Sequence, residues 1–198
     1  MPRTEAENQR IRDERREQIL QAAIQVFARQ GYAATKIADI AAAAHSSHGL
    51  VYHYFDSKED IFAALIERAA QDSQRTAEAT LARPGDALDR VTWLVEVMLR
   101  GLQRRPELYM IMVQSFDNEA FTPELRQRAV AQAEVIPATL RRLIAEAQTE
   151  GKVAPGDPDE LATAIFCCVQ GLAINILSSE GLRIAVPSAA TLLRLLKA

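Results

Sequence analysis

A chain of 198 residues, 48% hydrophobic and 25% charged, is long enough to bury a substantial core and has an ordinary globular balance. Its net charge of −3 excludes a whole-chain basic footprint, the simplest way to hold nucleic acid. Its two cysteines, adjacent at Cys167 and Cys168, cannot staple a fold; they read as small buried hydrophobes, with a redox pair as the alternative.

Charge distribution adds little. Residues 1–58 carry 8 Lys/Arg against 7 Asp/Glu, and the remainder 15 against 19. Any contact with DNA therefore rests on a few well-placed side chains and helix N-termini. No strand pattern persists, and helical periodicity dominates, so the predicted fold is all-α. The N-terminus is polar with mixed charge and has no apolar run of the kind a signal peptide needs. A first helix is predicted over Gln9 to Gln30, with Ile19, Ala23, Val26 and Phe27 inward and Gly31 as its stop. Its arginines are interleaved with acids and read as a solvated face, although Arg3 and Arg10 could reach a minor groove.

The segment Thr35 to Lys58, TKIADIAAAAHSSHGLVYHYFDSK, carries the strongest signal. Ile37, Ile40, Ala41 and Ala44 recur at helical spacing, with Thr35 where an N-cap belongs. After a turn at His45-Ser46, Ser47 can cap a second helix whose Val51 and Phe55 face the same core. That is the layout of a helix-turn-helix, in which one helix braces and the other enters the major groove. Thr35 and Ser47 can offer hydroxyl and backbone N–H groups to phosphates, and Lys36 adds a charge. Gly49 permits close approach. Tyr52 and Tyr54 can bond phosphate through their hydroxyls, Lys58 can clamp one, and His48 and Leu50 are candidates for base edges. Tyr52 could equally be half core. The three histidines of the segment, His45, His48 and His53, do not share a face, and no metal site is expected.

A further helix starts at Ser57, with Asp60 completing a capping box and Ile61, Phe62, Leu65, Ile66 and Ala69 inward; it is expected to run to the high seventies. Arg83-Pro84-Gly85 breaks the chain. Helices follow from about Asp86 to Arg104, from Pro106, and from Pro123 to about Glu150 with Pro137 as an internal kink. The last two are expected over Asp159 to Ser179 and Pro187 to Lys197. The apolar run Leu161 to Leu177, interrupted by Thr163, Gln170 and Asn175, falls short of the ~20 residues of a membrane span and reads as a buried or interface helix.

Residues 15–66, through the runs Ile19 to Phe27, Gly31 to Ala44 and Ser47 to Glu59, resemble the DNA-binding domain of the tetracycline-repressor (TetR) family of bacterial regulators. The helix order of the whole chain is similar to that family's nine-helix fold. At the turn this chain departs from the family pattern: His45 and Ser46 stand where glycine and a small apolar residue are usual. The resemblance implies a DNA-binding domain over residues 1–56 and an effector-binding and dimerisation domain over 57–198. It places Thr35, Lys36, Ser47, His48, Gly49, Leu50, Tyr52, His53, Tyr54 and Lys58 in the DNA-contacting set. It implies a homodimer on a palindromic double-stranded operator, joined through Leu161, Ile165, Cys168, Leu172, Ile176, Leu192 and Leu196.

A small-molecule pocket is also implied, for which Trp93, Val97, Met110, Met112, Phe116 and Phe121 are the candidates, an adaptable apolar lining. Glu96 and Asn175 are either ligand contacts or internally paired groups, Glu96 with Arg100 four residues on. There is no nucleophile–base pair, phosphate loop or metal spacing, so neither an enzyme nor a cofactor is expected. The reading is a cytoplasmic, nucleoid-associated repressor released by an apolar or amphipathic effector, without membrane association. The alternative is a DNA-bound protein that acts through a protein partner.

Overall fold

The computed structural model describes residues 5–116, 121–178 and 184–196. Among the described residues the chain is helical throughout: α1 (Glu5–Ala34), α2 (Ile37–Ala43), α3 (His48–Tyr54), α4 (Lys58–Leu81), α5 (Ala87–Arg104), α6 (Pro106–Phe116), α7 (Pro123–Thr149), α8 (Pro158–Ser178) and α9 (Ala189–Leu192), the last tightening into a 3-10 turn, Leu193–Leu196. The expected nine-helix, all-α architecture is the one observed.

Local chemistry sets most of the ends. Ser57 accepts from Asp60 N at 3.0 Å and starts α4, and Asp86 accepts from Asp89 N at 2.9 Å and starts α5. Thr122 and Pro123 open α7 together. Gly151, at φ 69°, closes it, with Gly151 N donating to Gln148 O at 3.0 Å and Lys152 N to Ala147 O at 2.8 Å. Gly31 does not end α1 outright. Its φ of 80° and ψ of 159° break the helix, and the chain resumes a helical course to Ala34. Ser188 caps the last helix, whose α-helical part ends at Leu192 where the 3-10 turn begins; the expected end at Lys197 lies outside the described residues.

The side chains gather into two cores. One contains α1 to α4 residues, among them Phe27, Tyr32, Ile40, Val51, Ile61 and Phe62, together with Ile111, Phe121, Leu125 and Ala129 from the C-terminal half. The other is built by α5, α7, α8 and α9, with Leu94, Leu102, Leu140, Leu143, Ile144 and Ile165 fully buried. α7 therefore serves both: its first two turns close the N-terminal core and the rest fills the other. Pro137, where the two parts meet, removes the backbone donor that would reach Ala133.

α8 corrects one sequence inference. At 20 residues and mean hydropathy 1.7, Pro158–Leu177 is long and apolar enough to cross a membrane by those criteria. Its Ala162, Ile165, Val169 and Ala173 stripe is instead packed into the second core. Truncating the centre of that core should be expensive. Leu140→Ala is expected to lower stability by about 2–5 kcal/mol, read from denaturant unfolding. A loss of less than about 1 kcal/mol would mean that the site collapses around the gap.

Candidate nucleic-acid interface

The α2–turn–α3 unit stands on a buried footing. Ile40 and Val51 are fully buried, and Ile37, Ala41 and Phe55 nearly so. The turn between the helices is a Schellman closure: Ser46 N donates to Ala41 O at 2.9 Å and His45 N to Ala42 O at 3.1 Å. His45 occupies the left-handed position at φ 50°, where glycine is the unstrained choice. The departure at the turn is thus absorbed without loss of the motif. Ser47 caps α3, its hydroxyl accepting from Leu50 N at 3.1 Å.

With Val51 and Phe55 held inside, the opposite face of α3 points outward. His48, Gly49, Tyr52 and His53 are exposed, Tyr52 to 45%. A Cβ built on Gly49 would meet nothing, so this end of the helix is open to a close-approaching surface. His48 and Tyr52 lie edge to face at 4.9 Å, and His53 and Tyr54 at 5.2 Å, which orders the outward rings. Leu50 is half-buried, and Tyr54 is half-buried against the N-terminal core.

Two members of the expected set have other duties. Thr35 is 2% exposed and does not cap α2; its hydroxyl donates to Gly31 O at 2.7 Å. Lys36 is the N-cap residue, and its N–H is taken by Asp39 Oδ2 at 2.9 Å, leaving the Lys36 side chain exposed. Lys58 is turned inward. Its ammonium donates to Tyr32 O at 2.8 Å and Thr35 O at 2.9 Å and sits 4.3 Å from the Tyr32 ring centroid. A cation at the C-terminal carbonyls of α1 meets the negative end of that helix. The sequence offered no signal for this, because it depends on how α1 ends against α4.

Carboxylates brace the same junction. The Tyr32 hydroxyl donates to Glu59 at 2.6 Å, which holds Glu59 below the usual carboxylate range despite partial burial. Burial and the Glu59 carboxylate push the Tyr32 phenol well above its ordinary value. Burial acts to raise Glu17, but hydrogen bonds from Arg68, at 2.5 and 2.6 Å, and from Gln21 outweigh it and leave its pKa lowered.

Among the described residues, the expected pocket side chains have separate surroundings. Trp93 lies under the Arg83 guanidinium at 5.0 Å, and Glu96 pairs with Arg100 at 3.3 Å as anticipated. Val97 and Met110 are half-buried; the side chains of Met112 and Phe116 lie outside the described residues. Phe121 belongs to the N-terminal core, and Asn175 is exposed, its amide donating to Gly171 O at 2.8 Å. A groove of about 560 Å³ instead opens between α4 and α7, with Ile66, Ala70, Arg75, Arg128, Gln132 and Val135 among its walls.

The interface set divides as well. Ile165 and Leu192 are buried within the chain's own core, and Leu161, Leu172 and Ile176 pack partly against it. Leu196 has its side chain outside the described residues. Cys167 and Cys168 are both exposed, contrary to the core reading, on a face shared with Ala164 and Ile174.

Three outcomes follow from this geometry. His45→Val should cost about 1–2 kcal/mol in thermal unfolding, whereas His45→Gly should not destabilise; equal behaviour would mean that the turn is not held at positive φ. Lys58→Met should lower stability by about 1–3 kcal/mol with no DNA present, and an unchanged unfolding curve would leave the internal clamp without energetic weight. The depressed Glu59 pKa contributes stability that is present above the usual carboxylate range and is lost as pH falls through the folded-state pKa. Tyr32→Phe should flatten that loss in melting temperature against pH.

The comparisons with known proteins agree with this geometry. The family model described as bacterial regulatory proteins, tetR family, matches residues 19–65. The transcriptional repressor AcnR of Corynebacterium efficiens is 30% identical over 149 residues, covering 74% of this chain and 72% of its own. The nucleoid occlusion factor SlmA of Vibrio vulnificus is 30% identical over 162 residues, covering 79% and 81%. Among solved structures, the MbdR regulator from Azoarcus sp. CIB is 26% identical with a TM-score of 0.76, over 91% of this chain and 96% of its own. The chain belongs to the tetR family of bacterial transcriptional regulators.

Proposed function

We propose that the protein is a ligand-responsive repressor that binds a palindromic operator as a homodimer. In this reading residues 1–56 read DNA, and residues 57–198 bind the effector and dimerise. One observation carries it: a capped α3, anchored by Val51 and Phe55, turns His48, Gly49, Tyr52 and His53 outward on a rigid support. Those residues, with Lys36, Ser47, Leu50 and Tyr54, form the DNA-facing set, while Thr35 and Lys58 support it from within. A single helix reads few base pairs, and two-fold symmetry matches a palindrome. The uncovered face of α8 around Ala164, Cys168 and Ile174 is the dimerisation surface in this reading. The α4–α7 groove is the seat for a small apolar or amphipathic effector, placed to act on α4 and through it on the reading unit. Such a protein works on the chromosome in the cytoplasm, away from membranes.

A second reading is favoured by the relatives named nucleoid occlusion factor, which match most of the chain. There the protein sits on DNA and acts through a protein partner, without a small effector. A ligand panel separates the two: thermal stabilisation with release of DNA supports the repressor, and a protein that ignores the panel supports the partner reading.

Selection from a random DNA pool tests the central claim. Recovery of a palindrome is the expected result, and recovery of nothing above salt-sensitive background overturns it. Lys36→Ala should weaken all sequences alike and reduce the salt slope by about 1; a loss confined to one base position contradicts the phosphate role. Ile174→Glu should give monomers by light scattering, and a persisting dimer would place the interface elsewhere.

A further inference from the structure

Four aromatic rings meet in the core beneath the reading unit, and one of them arrives from the other half of the chain. Phe121 lies 4.6 Å from Tyr32 and 4.8 Å from Phe62, while Tyr32 and Phe62 are 5.0 Å apart and Phe27 stands 5.2 Å from Phe62. Of the ring partners of Tyr32, Phe121 is the nearest. Tyr32 ends α1 and Phe62 begins α4. The wedge between these two helices therefore has a Phe121 ring as part of its filling. We propose that Phe121 is a positioning residue for DNA recognition: it sets the angle between the end of α1 and the start of α4, and with it the presentation of α3. The inference rests on the reading of α3 as the DNA-facing helix.

The ring is carried on a rigid mount. Thr122, the next residue, caps α7 by accepting from Leu125 N at 3.3 Å. Leu125 and Ala129, at successive four-residue steps, extend the same apolar stripe onto the N-terminal core. Further along the same helix, Leu140, Leu143, Ile144 and Ala147 are fixed in the second core. A shift of α7 and its core against the N-terminal core is therefore a shift of Phe121 against Tyr32. The surroundings of Tyr32 amplify it, since its carbonyl and ring hold Lys58 and its hydroxyl holds Glu59, both in the first turn of α4. A close-packed cluster has no slack to absorb a displaced ring. α7 supplies contiguous contact between the two cores, through which such coupling can travel.

Full-length Phe121→Ala, Phe121→Leu and, as a control in the other core on α5, Leu94→Ala test the proposal by amide hydrogen exchange and by affinity for the selected operator. In Phe121→Ala, exchange over residues 37–54 is expected to accelerate while α5 and α8 keep their protection. Operator affinity should fall about tenfold, equivalent to about 1.4 kcal/mol. Phe121→Leu should move both readouts in the same direction by less, and it carries the test alone if the alanine variant does not fold. Leu94→Ala should lower global stability while leaving the operator affinity of the folded protein and the exchange pattern of residues 37–54 near wild type. Wild-type exchange over residues 37–54 and wild-type affinity in folded Phe121 variants overturn the proposal, as does an equal response from Leu94→Ala. If no operator is recovered, the exchange arm decides alone, so failure of the DNA reading is not confused with failure of this one.

Discussion

An ammonium group placed against the last carbonyls of a helix organises the N-terminal half. Lys58 joins the end of α1 to the start of α4 by bonds to Tyr32 O and Thr35 O, and it does so beneath the Tyr32 ring. Orphan carbonyls at a helix C-terminus need partners, and a cation is the favourable one. With that junction fixed, Tyr32 can donate to Glu59, Phe62 can meet Tyr32, and the chain between them, which contains α2 and α3, is held at both ends. The α2–α3 unit is held because the helices on either side of it, α1 and α4, are pinned to each other.

The same dependence explains where sequence reasoning worked. Capping residues, Gly and Pro announce themselves locally, so Ser47, Ser57, Asp86, Pro123 and Gly151 marked helix boundaries well. The apolar period placed Ile40, Val51, Phe55, Ile61 and Phe62 inside, and all are buried. The outward side of α3 followed by subtraction.

Three-dimensional assignments fared less well for a physical reason. Lys58 looked like a free cation because nothing in its neighbourhood of sequence foretells carbonyls from residues 32 and 35. Thr35 looked like a cap, but its hydroxyl donates back to Gly31 O and the N-cap position falls to Lys36. Phe121 looked like a pocket wall because an aromatic residue beside a loop carries no label for which core it fills. Cys167 and Cys168 sit in an apolar run, yet a helix that is apolar nearly all round does not disclose which side its own chain covers.

The division of α7 between two cores has a consequence for the order in which this protein comes into being. Residues 15–66 emerge from the ribosome before α7, and a head of that size would ordinarily be free to consolidate at once. Here its aromatic wedge is incomplete until Phe121, Leu125 and Ala129 have been synthesised. The head must wait through some sixty residues of further translation, about 3–12 seconds at the usual elongation rates, with Tyr32 and Phe62 lacking their last partner. A nascent chain stalled between α4 and α7 would thus leave the Tyr32 and Phe62 rings, in the core beneath α3, without their last partner. That window closes once residues 121–129 reach the N-terminal core, with α8 and α9 still to come.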